Sequence, residues 1–131
     1  MNLLLDTPIW LWAILEPQRI KPAVLKTLEN PRHELWLSPI SVWEVLVLSR
    51  KKRLQFDCEA EQWVRRWLHE RPMREAPLTR EIALQSEHLN LPHPDPADRF
   101  LAATAKVLDL VLVTADEHLL ACTEVRTLAN R

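Results

Sequence analysis

The chain begins Met1-Asn2-Leu3-Leu4-Leu5-Asp6-Thr7-Pro8, and this stretch already indicates how the protein is built. The apolar run at residues 3–5 has the length of a short buried strand, and the polar residues that follow end it. Thr7 can cap a helix, and a proline suits the first turn of one because its φ is already close to helical. The stretch therefore predicts a strand that leads directly into a helix, with Asp6 at the junction.

Strand and helix patterns alternate along the rest of the chain. Further strands are expected at residues 34–38, 73–78, 111–114 and near 125–128. Because parallel neighbouring strands need a crossover helix between them, the alternation predicts an α/β fold with a largely parallel central sheet. At 131 residues the chain has the size of one domain, residues 1–131. The expected helices run through Trp10 and Leu15, over residues 21–30, from Ser38 or Ser41 to about 53, over 57–71, from Thr79 to 89, from Asp95 to 108, and from Asp116.

The composition is that of a globular protein without a membrane segment. Hydrophobic residues make up 47% and charged residues 27% of the chain, which are ordinary fractions. Glu44 and Asp109 interrupt the longest apolar stretches, which fall well short of the roughly 20 residues that a membrane span needs. No basic leader precedes the first apolar run, so we expect a cytoplasmic location. Cys58 and Cys122 lack metal-ligand spacing and are expected to be reduced core residues.

Glycine is absent from the chain. Average usage of about 7% would place roughly nine glycines in a protein of this length. Without them the chain has neither a glycine-rich phosphate loop nor the GxGxxG fingerprint of dinucleotide-binding proteins. Binding of a nucleotide cofactor by these routes is therefore excluded.

Acidic residues follow the predicted strands. In open parallel sheets, functional sites form beyond the carboxyl ends of the strands. Asp6 ends the first strand, and Asp116 follows the strand at residues 111–114. Glu44 and Asp98 fall in the first turns of helices that can open at the same edge. Four carboxylates gathered there would raise one another's pKa unless a cation neutralised them, so the pattern predicts a metal site.

Each acid also has an explanation that requires no metal. Asp6 can simply end a strand, and Asp116 can simply place negative charge at a helix N-terminus. Ser41-Val42-Trp43-Glu44 is a candidate capping box, and Asp95-Pro96-Ala97-Asp98 is a matching one. Independent caps have no reason to gather at one edge of a sheet, however. Their joint placement favours the metal site.

The donor atoms indicate which metal and which reaction to expect. Oxygen-only ligation, without cysteine or histidine at zinc spacing, is typical of the hard ions Mg²⁺ and Mn²⁺. Such ions activate water and offset charge on a phosphoryl oxygen, and two of them about 4 Å apart can clamp both sides of an in-line displacement. The acidic pattern therefore predicts hydrolysis of a phosphodiester.

The middle of the chain is basic although the net charge is −1. Residues 50–80 contain nine Lys or Arg residues against five acids. This distribution would suit a polyanion that lies across one region while a separate acidic site holds cations. The alternative is a solvated helical face with ion pairs four residues apart, and the sequence leaves both interpretations open.

Four segments, spread over essentially the whole chain, contain the four acids. They are Leu3-Leu4-Leu5-Asp6-Thr7, Ser38-Pro39-Ile40-Ser41-Val42-Trp43-Glu44-Val45, Asp95-Pro96-Ala97-Asp98-Arg99-Phe100-Leu101-Ala102-Ala103-Thr104-Ala105 and Leu112-Val113-Thr114-Ala115-Asp116. In their order and spacing they resemble the PIN-domain nucleases, and among them the VapC-type toxins of toxin–antitoxin pairs.

The resemblance implies a three-layer α/β/α fold with a parallel sheet of about five strands. It also implies an endoribonuclease that cuts single-stranded or looped RNA to leave a 5′-phosphate and a 3′-hydroxyl. The Mg²⁺ or Mn²⁺ would be bound by Asp6, Glu44, Asp98 and Asp116. Thr7 and Thr114 would orient carboxylates or water. Asp95 would either contact the metal through water or only cap its helix.

The resemblance further implies partners for this chain. One is a small antitoxin protein whose tail occupies the groove beside the acids, and another is a second copy in a homodimer. RNA would be held by its backbone and by base stacking. Candidate phosphate contacts are Arg50, Lys51, Lys52, Arg53 and Arg99, and candidate stacking residues are Trp10, Trp12, Trp36 and Trp43, although most of the six tryptophans are expected in the core or a dimer interface.

The chain departs from the family pattern at one turn. Such toxins often have a Gly in a Gly-Lys-Leu-like turn after the helix that bears the glutamate, whereas this chain has Lys51-Lys52-Arg53-Leu54. The turn is expected to be left-handed without glycine or to close differently.

Two rival functions remain to be compared. A phosphoacceptor signalling domain needs an adjacent acidic pair after its first strand, and Asp6-Thr7-Pro8 lacks that pair. A catalytically inactive PIN fold that serves as a binding module is the stronger rival. Such modules usually lose an acid, whereas all four acids are present in this chain.

Overall fold

The computed structural model describes residues 1–92 and 95–131. Within these residues, five strands form one wholly parallel sheet: β1 (Asn2–Leu5), β2 (Glu34–Leu37), β3 (Arg74–Glu75), β4 (Val111–Thr114) and β5 (Thr127–Ala129). Their order across the sheet is β3-β2-β1-β4-β5. The helices are α1 (Thr7–Leu15), α2 (Pro22–Glu29), α3 (Pro39–Arg50), α4 (Ala60–Glu70), α5 (Arg80–His88), α6 (Pro96–Leu108) and α7 (Glu117–Leu120), with a 3₁₀ turn at Pro17–Arg19.

The central strands are buried on both faces, which explains their continuous apolar sequences. Leu3 and Leu5 of β1 pack on one side of the sheet with Trp10 and Trp63. Leu4, which points the opposite way, packs on the other side with Leu101 of α6. Helices thus cover both faces, and the expected three-layer α/β/α fold with a five-stranded parallel sheet is confirmed.

The structure confirms most of the expected elements and shortens several. The strand at 111–114 has the predicted limits, whereas the strand expected at 73–78 is reduced to Arg74–Glu75. The helix expected from residue 57 begins at Ala60. The prediction that Thr7 caps α1 is wrong, because the cap is Asp6, whose side chain accepts the Thr7 backbone N–H at 2.8 Å. An aspartate caps a helix better than a threonine does, and it frees the Thr7 hydroxyl for a tertiary contact.

The turn after α3 is left-handed without a glycine, which confirms the first of the two conformations expected for it. Lys52 has φ 58°. The Arg53 backbone N–H donates to the Leu48 carbonyl at 2.9 Å, and the Lys52 N–H donates to that of Ser49 at 3.0 Å. The first bond closes the helix end as a Schellman motif does, so the orphan carbonyls are satisfied although Lys52 occupies a conformation that glycine prefers.

Two further expectations concern the membrane and the cysteines. None of the helices in the two described ranges is long and apolar enough to cross a bilayer. Cys58 and Cys122 are free thiols; Cys122 is buried and Cys58 is half-buried, which agrees with the expected reduced state.

Candidate active site

The parallel register brings the ends of β1 and β4 together. Leu5 pairs with Val113, and the backbone N–H of Asp6 donates to the Val113 carbonyl at 3.0 Å. Asp6 therefore leaves the sheet beside the turn that carries Thr114 and Asp116. Helices α3 and α6, which carry Glu44 and Asp98, contact one another.

Asp6 is the buried centre of this edge, with 5% of its surface exposed. Its Oδ1 accepts the Thr7 backbone N–H at 2.8 Å, and its Oδ2 accepts the Thr114 hydroxyl at 2.7 Å. The pKa of Asp6 is raised to about 6, chiefly because the side chain is buried and in smaller part because of the negative charges of Glu44 and Asp116, whereas the two hydrogen bonds act in the opposite direction. A bound cation would lower the cost of ionising this buried carboxylate.

Glu44 lies in the second turn of α3, and its predicted place in the first turn is wrong. Ser38 is the N-cap and its Oγ accepts the Ile40 N–H at 3.1 Å, so the capping box from Ser41 to Glu44 does not exist. The Glu44 carboxylate instead reaches α1, where its Oε1 accepts the Thr7 hydroxyl at 2.6 Å. Burial raises the pKa of Glu44, and the charge of Asp95 adds to the effect.

Asp116 and Asp95 cap helices α7 and α6, as the explanations that require no metal predicted. Asp116 Oδ1 accepts the backbone N–H groups of His118 and Leu119 at 2.8 and 3.1 Å. Asp95 Oδ1 accepts the Ala97 N–H at 2.9 Å. Capping does not remove their charge from the site, because Asp116 acts on Asp6 and Asp95 acts on Glu44. The fourth predicted ligand, Asp98, is a half-buried residue in the first turn of α6.

The carboxylates influence one another without closing around one point. Within residues 1–92 and 95–131, no three His, Cys, Asp or Glu side chains are grouped closely enough to hold an ion. Convergence of Asp6, Glu44, Asp98 and Asp116 on one ion therefore stays a prediction that requires side-chain adjustment.

The chemistry of the donors nevertheless fits a hard cation. Asp6 and Glu44 present oxygen alone, and both have their pKa raised by burial and by a neighbouring acid. In the part of the chain that the structure describes, neither carboxylate forms an ion pair with Lys, Arg or His. A divalent ion would supply the missing positive charge.

The predicted phosphate contacts separate into two groups. Arg50, Lys51, Lys52 and Arg53, which we call the basic segment, are all exposed at the end of α3. Arg99 is different, because its guanidinium donates to the carbonyl oxygens of Ser86, Leu89 and Leu91. These hydrogen bonds attach α6 to α5 and to the residues directly after it, so the assignment of Arg99 to phosphate is not kept.

Only one of the four candidate stacking tryptophans is available among the described residues. Trp10 is 1% exposed, and the rings of Trp12 and Trp36 are covered by Arg19 and Arg74. Trp43 is 56% exposed. It lines an open groove of about 600 Å³ together with Glu44, Asp95 and Phe100, among others, so an aromatic surface adjoins the acidic residues.

The sequence offered Ser41 only as a helix cap, and its place among the buried polar residues of this edge was not foreseen. Ser41 is fully buried, and its Oγ lies 2.7 Å from the Thr7 Oγ1. The available signal was its spacing, because residues three apart on a helix share a face and Ser41 precedes Glu44 by three.

Comparison with known proteins gives concordant matches. Residues 3–124 match the family model described as PIN domain. The chain is 31% identical to Ribonuclease VapC22 of Mycobacterium tuberculosis (strain ATCC 25618 / H37Rv) over 119 residues, which cover 90% of this chain and 89% of that protein.

Solved structures of low sequence identity share the fold. VapBC2 from Rickettsia felis bound to a DNA fragment from its promoter superposes with a TM-score of 0.76 at 14% identity, and 98% of each chain is covered. DNA-bound VapBC from Salmonella typhimurium superposes with a TM-score of 0.73 at 15% identity, over 100% of this chain and 99% of that one.

Proposed function

The chain belongs to the PIN-domain family and resembles its VapC ribonucleases, and from this premise we propose that it is a metal-dependent endoribonuclease acting as the toxin of a toxin–antitoxin pair. The observation that carries the proposal is Asp6, a buried carboxylate at a strand end whose pKa is raised to about 6 by burial and by two neighbouring acids. Catalysis of phosphodiester hydrolysis by hard cations requires such acids.

We assign the metal to Asp6, Glu44, Asp98 and Asp116. Asp95 caps α6 and contributes negative charge beside Glu44, which supports an indirect role for it. When bound, Mg²⁺ or Mn²⁺ supplies an activated water and offsets charge on the phosphoryl oxygens. The hydroxyls of Thr114 and Thr7 hold one oxygen each of Asp6 and Glu44, which orients the two carboxylates before the ion arrives.

RNA would approach this edge over the exposed ring of Trp43 and along the basic segment. Arg50 follows Glu44 by six residues, about 9 Å along the helix at 1.5 Å per residue. An unpaired base can stack on Trp43 in the open groove, while the cations contact the backbone. This arrangement favours single-stranded RNA, because stacking on a side chain requires a base that is free of its own helix.

The cleavage reaction provides the test of the proposal. The chain is expected to cut a labelled single-stranded RNA in Mn²⁺ or Mg²⁺, to leave 5′-phosphate ends and to stop when EDTA is added. Glu44→Gln is expected to lower the rate on the order of 100-fold or more, since it removes a charged ligand but keeps an acceptor for Thr7. The matched control is Glu87→Gln, at an exposed glutamate of α5, which should leave the rate unchanged.

The inactive binding module is the rival that this experiment separates. If purified chain neither cuts RNA nor binds Mn²⁺ in calorimetric titration, the fold serves only for binding. Binding of Mn²⁺ that depends on the four acids supports the nuclease. Sequencing the 5′ ends of RNA after induction in cells would then identify the target.

RNA binding by the basic segment and RNA binding by Trp43 are expected to respond differently to salt. Replacing both Arg50 and Lys51 with Ala should weaken RNA binding. The slope of the logarithm of the binding constant against the logarithm of the salt concentration should become less negative by about 1.4, because each charge on a single strand contributes about 0.7. Trp43→Ala should weaken binding by about tenfold with the slope unchanged, since stacking releases no counterion. Lys26→Ala, on the exposed side of α2, is the control. Equal slopes for all variants would contradict the assignment of the basic segment.

We also propose the partners and the setting that a toxin requires. The structural relatives are toxin–antitoxin complexes, which supports a cognate antitoxin for this chain. A homodimer and a cytoplasmic location complete the proposal, with residues 1–131 acting as one nuclease domain. Co-expression with the open reading frame immediately upstream, followed by purification of a complex, tests the antitoxin.

A further inference from the structure

A chain of two hydroxyls leads from the interior of the protein to Glu44. Ser41 Oγ lies 2.7 Å from Thr7 Oγ1, which lies 2.6 Å from Glu44 Oε1. Ser41 is 0% exposed and Thr7 is almost as deeply buried. Because Ser41 and Glu44 are three residues apart on α3, both side chains face the first turn of α1. Thr7 therefore bridges two residues of the same helix.

The direction of these hydrogen bonds follows from the proton count. A hydroxyl has one proton, and an ionised carboxylate can only accept. The Thr7 proton must therefore be donated to Glu44, and the contact with Ser41 is satisfied when the Ser41 hydroxyl donates to the Thr7 oxygen. Acceptance of that bond polarises the Thr7 hydroxyl and strengthens its donation to Glu44.

Ser41 behaves differently from other hydroxyls in the helices of this protein. Helical Ser and Thr side chains commonly donate back to a carbonyl one turn earlier. Thr27, Ser86 and Thr104 do so, to the carbonyls of residues 23, 83 and 100 at 2.9, 2.6 and 2.6 Å. Within the described residues, the hydrogen bond of the Ser41 side chain is instead the one to Thr7. The helix thus directs this hydroxyl away from itself and towards the acidic edge.

We propose that Ser41 is a positioning residue for the metal site: by donating to Thr7, it holds the Thr7 hydroxyl in the orientation that fixes the Glu44 carboxylate for the ion. The inference rests on the proposed function, because it assumes that Glu44 binds the metal. It adds a residue that contacts neither ion nor RNA and acts only through Thr7.

The test compares Mn²⁺ affinity, measured by calorimetry on the purified chain, with the kinetics of RNA cleavage. Ser41→Ala is expected to weaken Mn²⁺ binding about tenfold, the scale typical of an outer residue that orients a ligand. At limiting Mn²⁺, kcat should fall by a similar factor while KM for RNA stays within about twofold, because the proposed RNA contacts are elsewhere. The matched control is Ser86→Ala, which removes a buried helical hydroxyl that donates only to a carbonyl of its own helix and should leave Mn²⁺ affinity unchanged.

A double-mutant cycle separates positioning from general loss of packing. Thr7→Val breaks the same chain of hydrogen bonds at its centre, so adding Ser41→Ala to Thr7→Val should cause no further loss of Mn²⁺ affinity. Additive losses, or a Ser41→Ala variant that binds Mn²⁺ as wild type does, would overturn the inference while leaving the metal site intact. Mn²⁺ binding that is unaffected by Asp6→Asn would overturn the proposed function itself.

Discussion

Replacing Asp6 with Asn is expected to lower RNA cleavage on the order of 10³-fold and, at the same time, to stabilise the metal-free protein at pH 7. Asparagine keeps the shape of the side chain and an oxygen that accepts the Thr7 N–H, so the cap of α1 survives. It removes the charge that the ion requires. It also removes a buried charge whose ionisation costs about 3 kcal/mol at pH 7, given a pKa of about 6 against the ordinary 3.8.

The net gain in stability should be smaller than this cost. With the Asn oxygen kept for the Thr7 N–H, the Nδ2 group that replaces Asp6 Oδ2 can only donate, so the Thr114 hydroxyl must turn. We therefore expect the free energy of unfolding, measured in urea with EDTA present, to rise by about 2 kcal/mol. Asp109→Asn is the control, since Asp109 lies at an exposed left-handed position that asparagine also tolerates. It should change neither cleavage nor the response to metal. Undiminished cleavage by Asp6→Asn would show that the metal site is assigned wrongly.

The stability of the metal-free protein should fall as the pH rises from about 4 to about 6. Because the pKa of Asp6 is raised on folding, the folded state keeps a proton that the unfolded state has already released between these values. Stability is therefore lost as the pH rises through the folded pKa, and the loss of about 3 kcal/mol is complete near pH 7. Glu44, whose pKa is also raised by burial, acts in the same direction.

The measurement is the difference in unfolding free energy between wild type and Asp6→Asn across this pH range. Taking the difference cancels the titrations of groups that do not interact with Asp6, such as Asp57 and Glu124, whose pKa values are lowered by hydrogen bonds to Arg66 and to the Asn90 backbone. With Mn²⁺ at about 100 times its Kd, wild type alone should regain about 2.7 kcal/mol. A difference that does not vary with pH, or equal stabilisation of both proteins by Mn²⁺, would contradict the account of Asp6.

Local patterns in the sequence were sufficient for the architecture and for the position of Asp6. A buried parallel strand is recognisable as a short apolar run, and the rule that parallel strands need a crossover makes the alternation of strands and helices informative. The carboxyl ends of such strands share an edge, so acids that follow β1 and β4 were expected near one another. The charge of Asp116 does act on Asp6, as that rule requires.

Local patterns were misleading where two explanations shared the same residues. Ser41 and Glu44 have the spacing of a capping box, yet the helix begins one turn earlier, at Ser38, and both side chains serve the contact with α1 instead. Arg99 has the charge of a phosphate contact, but three carbonyl oxygens, one in α5 and two in the residues after it, already accept its hydrogen bonds. Charge and spacing describe what a side chain can do, whereas its neighbours decide what it does.

The sequence by itself therefore determined the parallel α/β/α layers and the edge at which the acids lie, since both depend on periodicities within a few residues. Tertiary structure alone decided which tryptophan is exposed, which arginine is engaged and which hydroxyls hold the carboxylates. Each of those choices depends on residues that are far apart in the chain, as with Thr114 and Asp6, 108 positions apart. Such pairs meet only after the sheet has formed, so no local pattern records them.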